Sequence, residues 1–345
     1  MIVVFGPNLA VDRTLAVEDF HAGQVFRTST SLVVPGGKGV NVARALRALG
    51  EAVHLVGLVA GWSGRFIREG LQQEGIEATL VEVEGISRTC TIVVDPRDGT
   101  ATVVNEEGDL RLGATQAEAI ERLLGDLTAG ASALVCSGSL PQALPRDFYR
   151  RVLENAGRAG CLTILDTSGA ALAEGLAARP HLIKPNEHEL ADLVRSRPEL
   201  GQAPAPPLRQ PPSRREEGSV RRPGPDRAEQ AAAPWVLQAA RGLVARGVEV
   251  AVVSMGAAGA VAVTRDGAWM ARPPRVEVVD PIGAGDSMVA GLTCGILRGM
   301  ALEEVLALGV AAGAADVASF GAGLVTRDAV ESLRSRVAVK PLRAA

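Results

Sequence analysis

Short apolar runs punctuate this chain, and most are followed by a longer stretch in which apolar residues return every three or four positions. Residues 1–5, 53–59, 133–136, 162–165, 182–183 and 250–253 have the pattern of strands buried on both faces. Residues 39–49, 64–74, 115–127, 146–159, 234–245 and 284–297 carry the helical period. Buried strands alternating with helices predict an α/β protein with a mostly parallel sheet covered on both faces.

Two regions break this rhythm. Residues 24–34 and 89–105 alternate polar and apolar positions, with a turn at 96–99, and read as half-exposed antiparallel strands. Standing early in an α/β chain, they predict a small separate sheet from about 10–35 and 87–108, placed as a lid. The other break is 195–234, which holds nine of the twenty prolines and many arginines. Before Trp235 it has almost no large apolar residue to offset its ordering entropy, so it reads as a disordered insertion. The core pattern continues on both sides, so residues 1–345 read as one domain.

Composition narrows the function classes. With 345 residues, 47% of them hydrophobic, the chain can bury a large core. A net charge of -3 and 3% aromatics argue against nucleic acid and anionic membrane partners. Cys90, Cys136, Cys161 and Cys294 form no paired motif and read as free thiols of a reducing compartment. His21, His54, His181 and His188 have no metal-ligand spacing. No basic segment precedes the first apolar run, and no run is long enough for a bilayer, so a cytoplasmic protein is expected.

The most informative segment is Val278-Val279-Asp280-Pro281-Ile282-Gly283-Ala284-Gly285-Asp286-Ser287. A strand ends, small residues turn, and a helix begins. Amides at a helix start lack intrahelical partners and the helix dipole favours an anion, so Gly283, Ala284 and Gly285 suit a phosphoryl group. Asp286 in the first turn is placed to accept a proton from an attacking hydroxyl, and the helix terminus is expected to keep it ionised. No GxxxxGK[ST] loop and no dinucleotide GxGxxG are present at this turn. By itself, an aspartate there can equally be a dipole partner.

A second glycine turn lies at Pro35-Gly36-Gly37-Lys38-Gly39-Val40-Asn41. Gly36 and Gly37 permit close backbone approach, Lys38 offers a charge for phosphate, and Asn41 can bond sugar hydroxyls. Asp12 adds a carboxylate for a pair of hydroxyls. Each of these alone is readily a cap or turn residue.

With both turns in place, the chain resembles the ribokinase-type sugar kinases of the PfkB family. Ser137-Gly138-Ser139-Leu140-Pro141, Lys184-Pro185-Asn186 with Glu189, and Ser254-Met255-Gly256-Ala257-Ala258-Gly259 follow in that family's order. The resemblance spans the chain outside 195–234. It is strongest to the phosphosugar branch, which holds 1-phosphofructokinase and tagatose-6-phosphate kinase.

The resemblance implies a ribokinase-like three-layer α/β/α fold, ATP and Mg²⁺, and a monovalent cation such as K⁺. It implies Asp286 as base and Gly283, Ala284 and Gly285 as the hole for the moving phosphoryl. Asp12, Gly36, Gly37, Lys38, Asn41, Ser137 and Ser139 are implied on the sugar, with Arg27 and Arg88 on the substrate's own phosphate. Lys184, Ser254, Gly256 and Gly259 are implied on ATP, and Asn186 and Glu189 on magnesium through water. Fructose 1-phosphate ranks first as substrate, ahead of tagatose 6-phosphate and fructose 6-phosphate. A homodimer through the lid strands is expected. Pro281 and Cys90 depart from the usual Thr/Ser and Asn. A ribose or nucleoside kinase leaves Lys38 and Arg88 without a phosphate. A non-catalytic sugar-binding regulator is at odds with an intact glycine turn and Asp286, and a dehydrogenase with the missing fingerprint near the start.

Overall fold

The computed structural model describes residues 1–97, 99–201 and 225–342, without the side chains of 225–233. From the start, the chain forms β1 (Ile2–Gly6), β2 (Ala10–Ala16), β3 (Ser31–Gly36), α1 (Lys38–Ala48), β4 (Val53–Val59), α2 (Gly61–Gln73) and β5 (Ala78–Glu82). Then come β6 (Glu84–Ile86), β7 (Arg88–Asp95), β8 (Thr100–Asn105), β9 (Asp109–Arg111), α3 (Ala114–Thr128), β10 (Ala133–Ser137), α4 (Phe148–Arg158), β11 (Leu162–Asp166) and α5 (Gly169–Gly175). The second half adds β12 (Leu182–Ile183), α6 (Glu187–Ser196), α7 (Pro225–Ala245), β13 (Val250–Ser254), β14 (Ala260–Val263) and β15 (Ala268–Arg272). It closes with α8 (Ala284–Leu297), α9 (Leu302–Val317), α10 (Arg327–Arg334) and β16 (Ala338–Pro341).

One sheet carries the molecule, in the order β16-β15-β14-β13-β12-β11-β10-β1-β4-β5. It is parallel from β13 to β5 and antiparallel from β13 to β16. The two-residue period of a strand sends alternate side chains to opposite faces. Val3 and Phe5 of β1 join a core with residues of α3 to α7, while Ile2 and Val4 join a second core with α1, α2 and α8 to α10. Those are the three layers expected. Because β1, β10, β11, β12 and β13 run parallel, their C-terminal ends share one edge. In open α/β sheets this is the edge outside which ligands sit.

The small sheet has the order β3-β2-β7-β8. Its outer pairs are antiparallel, as expected, but β2 and β7 at its centre are parallel. The chain passes through β4 and β5 of the main sheet between them, so the second hairpin re-enters in the same direction as β2. The strand expected from residue 24 starts only at Ser31. β2 supplies partners from Ala10, opposite Gly36, to Leu15, opposite Ser31, and Val17 then bonds toward Val94 instead. Ala16 still donates to the Thr30 carbonyl at 3.0 Å, and residues 24–29 have no facing ladder among the described residues.

The segment 195–234 is narrower than its composition suggests. α6 runs to Ser196, a short turn at Pro198–Leu200 buries Leu200, and α7 begins at Pro225 rather than at 234. Alanine, glutamate and glutamine ahead of Pro234 are strong helix formers, and they carry the helix through that proline. Residues 202–224 of the expected disordered insertion lie outside the described residues. Among the described residues, no helix is long and apolar enough to cross a membrane.

Candidate active site

Both glycine turns start helices that pack against each other, α1 and α8. Gly37 caps α1 with φ 89° and Gly283 caps α8 with φ 94°, a region where a side chain strains the backbone. At each turn, the amides three and four residues on fold back onto the glycine's carbonyl. Val40 and Asn41 donate to Gly37 at 3.0 and 3.2 Å, and Asp286 and Ser287 donate to Gly283 at 2.8 and 3.0 Å. That leaves the amides of Gly283, Ala284 and Gly285 without a backbone acceptor among the described residues. A methyl added at 283 would lie 2.6 Å from the Ala322 Cβ, so the loop after α9 closes under the turn.

Asp286 is 6% exposed and accepts a bond from Asn41 Nδ2 at 2.9 Å. This bond joins the two turns directly. Burial pushes the Asp286 carboxyl up to about 7; Lys38 pulls it down, the negative charge of Asp166 pushes it further up, and Asn41 and Lys184 lower it. The helix terminus was expected to keep Asp286 ionised; burial instead raises its carboxyl toward neutral pH.

Asp166, at the end of β11, is the residue the sequence reading missed. It is fully buried, with Lys184 Nζ at 3.3 Å from Oδ1 and Lys38 Nζ at 3.6 Å from Oδ2. Burial alone would raise its carboxyl, but Lys184 and Lys38 outweigh burial and hold it below the ordinary range. Lys38 also approaches Glu189 Oε1 at 3.4 Å. Burial opposes its charge, yet Asp166, Glu189 and Asp286 hold the ammonium above its usual value. Lys184 Nζ lies only 3.3 Å from where a side chain on Gly285 would begin, which places a cation beside the open amides. The available signal for Asp166 was a lone charge at the C-terminal end of a buried strand.

Asp12 sits on β2 in register with Cys90, and Ala10 is in register with Arg88, so the small sheet gathers all three at one end. The Gly37 amide donates to Asp12 Oδ2 at 3.3 Å, and Oδ1 is buried without a partner. Burial raises the Asp12 carboxyl; the Gly37 amide and the Arg88 charge offset part of this. A side chain on Gly36 would collide with Asp12 at 2.0 Å, so that glycine makes room for the carboxylate. Arg88 Nε reaches the Asn8 carbonyl at 3.5 Å, and Asn8 Nδ2 donates to Ser139 Oγ at 2.9 Å. Asn8 had no place in the sequence reading.

Not every expected residue joins this cluster. Arg27 is exposed in the irregular stretch before β3, not on a strand of the small sheet, for want of a facing partner. Ser137 is fully buried and donates to Asp166 Oδ2 at 3.4 Å. Ser254 ends β13 and bridges to Asn186, with its amide on Pro185 at 3.1 Å. Gly256 and Gly259 form the tight turn beyond it, closed by the Met255 amide on Gly259 at 2.8 Å. Asn186 and Glu189 form a reciprocal capping box at the start of α6, with both bonds 2.9 Å. Among the described residues, no three His, Cys, Asp or Glu side chains converge as metal ligands.

The arrangement offers open amides and a cation on one side, a buried carboxylate of raised affinity for protons in the middle, and a second charged cleft on the other. Such a set can align a phosphoryl group with an alcohol and take up the alcohol's proton.

Comparison with known proteins adds the following. The family profile described as pfkB family carbohydrate kinase matches residues 1–205 and 224–329. The 1-phosphofructokinase of Bacillus subtilis (strain 168) is 32% identical over 348 residues, covering 99% of this chain and 100% of that protein. A tagatose-6-phosphate kinase of Staphylococcus epidermidis is 28% identical over 346 residues, covering 98% of this chain and 99% of that protein. Phosphofructokinase-2 from Escherichia coli, solved with fructose-6-phosphate, superposes with a TM-score of 0.78 at 27% identity, covering 97% of this chain and 98% of that one.

Proposed function

The chain belongs to the pfkB family of carbohydrate kinases, and from that premise we propose that it transfers the terminal phosphoryl of ATP to fructose 1-phosphate, giving fructose 1,6-bisphosphate. One observation carries this reading. The carboxylate of Asp286 lies one hydrogen bond from Asn41 of the sugar-side helix and in the first turn of the helix whose leading amides stand open.

In this reading, Asp286 accepts the proton of the free primary alcohol as it attacks. The amides of Gly283, Ala284 and Gly285, with Lys184 beside them, receive charge from the phosphoryl's equatorial oxygens. Asp12 and Asn41 hold sugar hydroxyls, with Gly36 and Gly37 leaving room for the ring. Lys38 and Arg88 meet the phosphate already on the substrate; Lys38 then exchanges one of its two carboxylate partners for it. Ser139 borders the same cleft through Asn8. Ser254, Gly256 and Gly259 line the nucleotide's side at the end of β13. The small sheet, part of the same single domain, closes over the sugar and keeps water from competing as acceptor.

Magnesium fits the residues present in a limited way. Asn186 and Glu189 already satisfy each other's amides and Glu189 Oε1 faces Lys38, so their remaining lone pairs would hold an ion through water. A bound Mg²⁺ would neutralise charge on the nucleotide's phosphates. A monovalent cation such as K⁺ belongs to the same proposal, and omitting each ion in turn tests it. The four buried, free cysteines support a reducing, cytoplasmic setting. Pairing of two copies through the small sheet is supported by Val103 and Val104, which are 37% and 62% exposed on β8.

The test is ADP release with a panel of fructose 1-phosphate, tagatose 6-phosphate, fructose 6-phosphate, fructose and ribose. Highest kcat/KM on fructose 1-phosphate is expected. Preference for tagatose 6-phosphate would move the chain to the neighbouring activity, that of the 28% relative rather than the 32% one. Turnover only without a substrate phosphate would overturn the roles of Lys38 and Arg88.

A further inference from the structure

Arg44 lies on the second turn of α1, is 8% exposed, and plays no part in the chemistry described so far. Its guanidinium touches four segments. Nε and Nη2 hold the Glu74 carboxylate at 2.7 and 2.8 Å, at the end of α2. Nη2 also donates to the Pro35 carbonyl at 2.9 Å, just before Gly36. Nη1 donates to the Ala322 carbonyl at 2.9 Å and to Asn41 Oδ1 at 3.4 Å. Ala322 is the residue packed under Gly283, and Gly323 lies against the Asn41 backbone. One side chain thus binds the strand leading into the first glycine turn and the loop beneath the second.

The contact with Asn41 has a chemical consequence. A guanidinium carries donors only, so it draws the oxygen of the Asn41 amide toward itself. The amide nitrogen is then directed to the other side, where it donates to Asp286 Oδ2. An ionised carboxylate accepts only, so the two charged neighbours fix a single orientation of the amide.

We propose that Arg44, clamped by Glu74, is a positioning residue that locks the Asn41 amide as a donor to Asp286 and holds the two glycine turns in register. The inference rests on the reading of Asp286 as base. The Asn41 donor favours the ionised carboxylate, so loss of the lock makes Asp286 hold its proton more tightly. The other groups facing Asp286 are Lys38 from α1, Asp166 from β11, Lys184 after β12 and Asp316 from α9. None of them contacts Arg44 through an ion pair among the described residues.

The experiment measures kcat, both KM values, the pH dependence of kcat and the melting temperature for R44M, E74Q and D286N in the full chain. R44M is expected to lower kcat about 10- to 100-fold, the scale of a small misplacement of reacting groups. The KM values should change far less, and the acid limb of kcat should move to higher pH. E74Q keeps the shape and removes the clamp's charge, so it should act in the same direction with a smaller loss. A kcat within about twofold of the parent and an unmoved acid limb would make Arg44 a structural brace only, whatever the melting temperature does. Should R44M fail to fold, the same readouts on E74Q decide, since Glu74 is partly exposed at a helix end. D286N separates the two ideas: it should lower kcat about 1,000-fold regardless of R44M, and a D286N with kcat near the parent's overturns the base itself.

Discussion

The helix starts of α1 and α8 are built alike and used oppositely. Each has a glycine cap at φ near 90°, with the amides three and four residues on folded onto that glycine's carbonyl. At α1 the cap's own amide is taken by Asp12, and the first turn carries a cation, Lys38. At α8 the leading amides stay open, and the first turn carries a carboxylate, Asp286. On the proposed reading, the same backbone device serves a sugar hydroxyl at one end and a phosphoryl group at the other. What distinguishes them is the cap amide, which a neighbouring acid takes at α1, and the charge carried in the first turn. Because the helices pack together, the acid of one meets the amide side chain of the other, and the reacting groups are aligned by a helix pair rather than by loops.

The largest effect expected is from Asp286→Asn, which should lower kcat about 1,000-fold with little change in either KM, as for an interaction made mainly in the transition state. In the parent enzyme the carboxyl is held near 7 and must be ionised to accept a proton. Steady-state kcat/KM, which reports the unliganded enzyme, should therefore fall as pH drops through about 7. A flat profile across that range would break the assignment of a proton-accepting role to the α8 start.

Next comes Gly283→Ala. A side chain at positive φ costs roughly 1–2 kcal/mol, and here it must also displace Ala322. We expect a lower melting temperature together with a loss of kcat of up to about 100-fold, since shifting the turn misaims its amide donors and losing one such donor costs about that much. An equal loss of both activities from Gly37→Ala would erase the contrast; that variant should instead raise the phosphosugar KM.

Lys38→Met and Arg88→Met should each raise the phosphosugar KM about 10-fold or more, the worth of one charge-assisted hydrogen bond, while ATP binding changes little. Lys38→Met should also shift the acid limb of kcat upward, because Lys38 helps ionise Asp286. Arg88→Met should not. A shift in both would mean that the small sheet senses the base, and that the two helix starts are less separate than drawn.

The smallest effect concerns Asp316, which lies beneath the α8 turn with its carboxyl pushed up to about 8 by burial and by the neighbouring negative Asp286. A carboxyl that binds its proton more tightly in the fold than the ordinary value of 3.8 stabilises the protein below that value. The contribution is lost as pH rises through the folded value. Asp316→Asn should flatten the decline in melting temperature between about pH 4 and pH 8. An unchanged slope would place the titration elsewhere.

The strand–helix alternation of residues 1–200 was legible because those strands are buried on both faces and their helices on one. α9 was not legible, because it is apolar on nearly every side, as a helix enclosed by other elements is. Both glycine turns were legible for a local reason: positive φ restricts the residue wherever the rest of the chain lies. Chemical partnership was not legible. Asp166 is 128 positions from Lys38 in the chain yet shares its charge, and Ser137 turned out to serve Asp166 rather than the cleft. The strand expected from residue 24 starts late for the complementary reason, since a strand needs a facing ladder that its own residues cannot supply. The sequence by itself determined where the backbone must bend and which residue types stand at the bends. Only the tertiary structure decided which charges meet, and burial then reset the protonation of Asp286, because the solvation a carboxylate loses depends on everything packed around it.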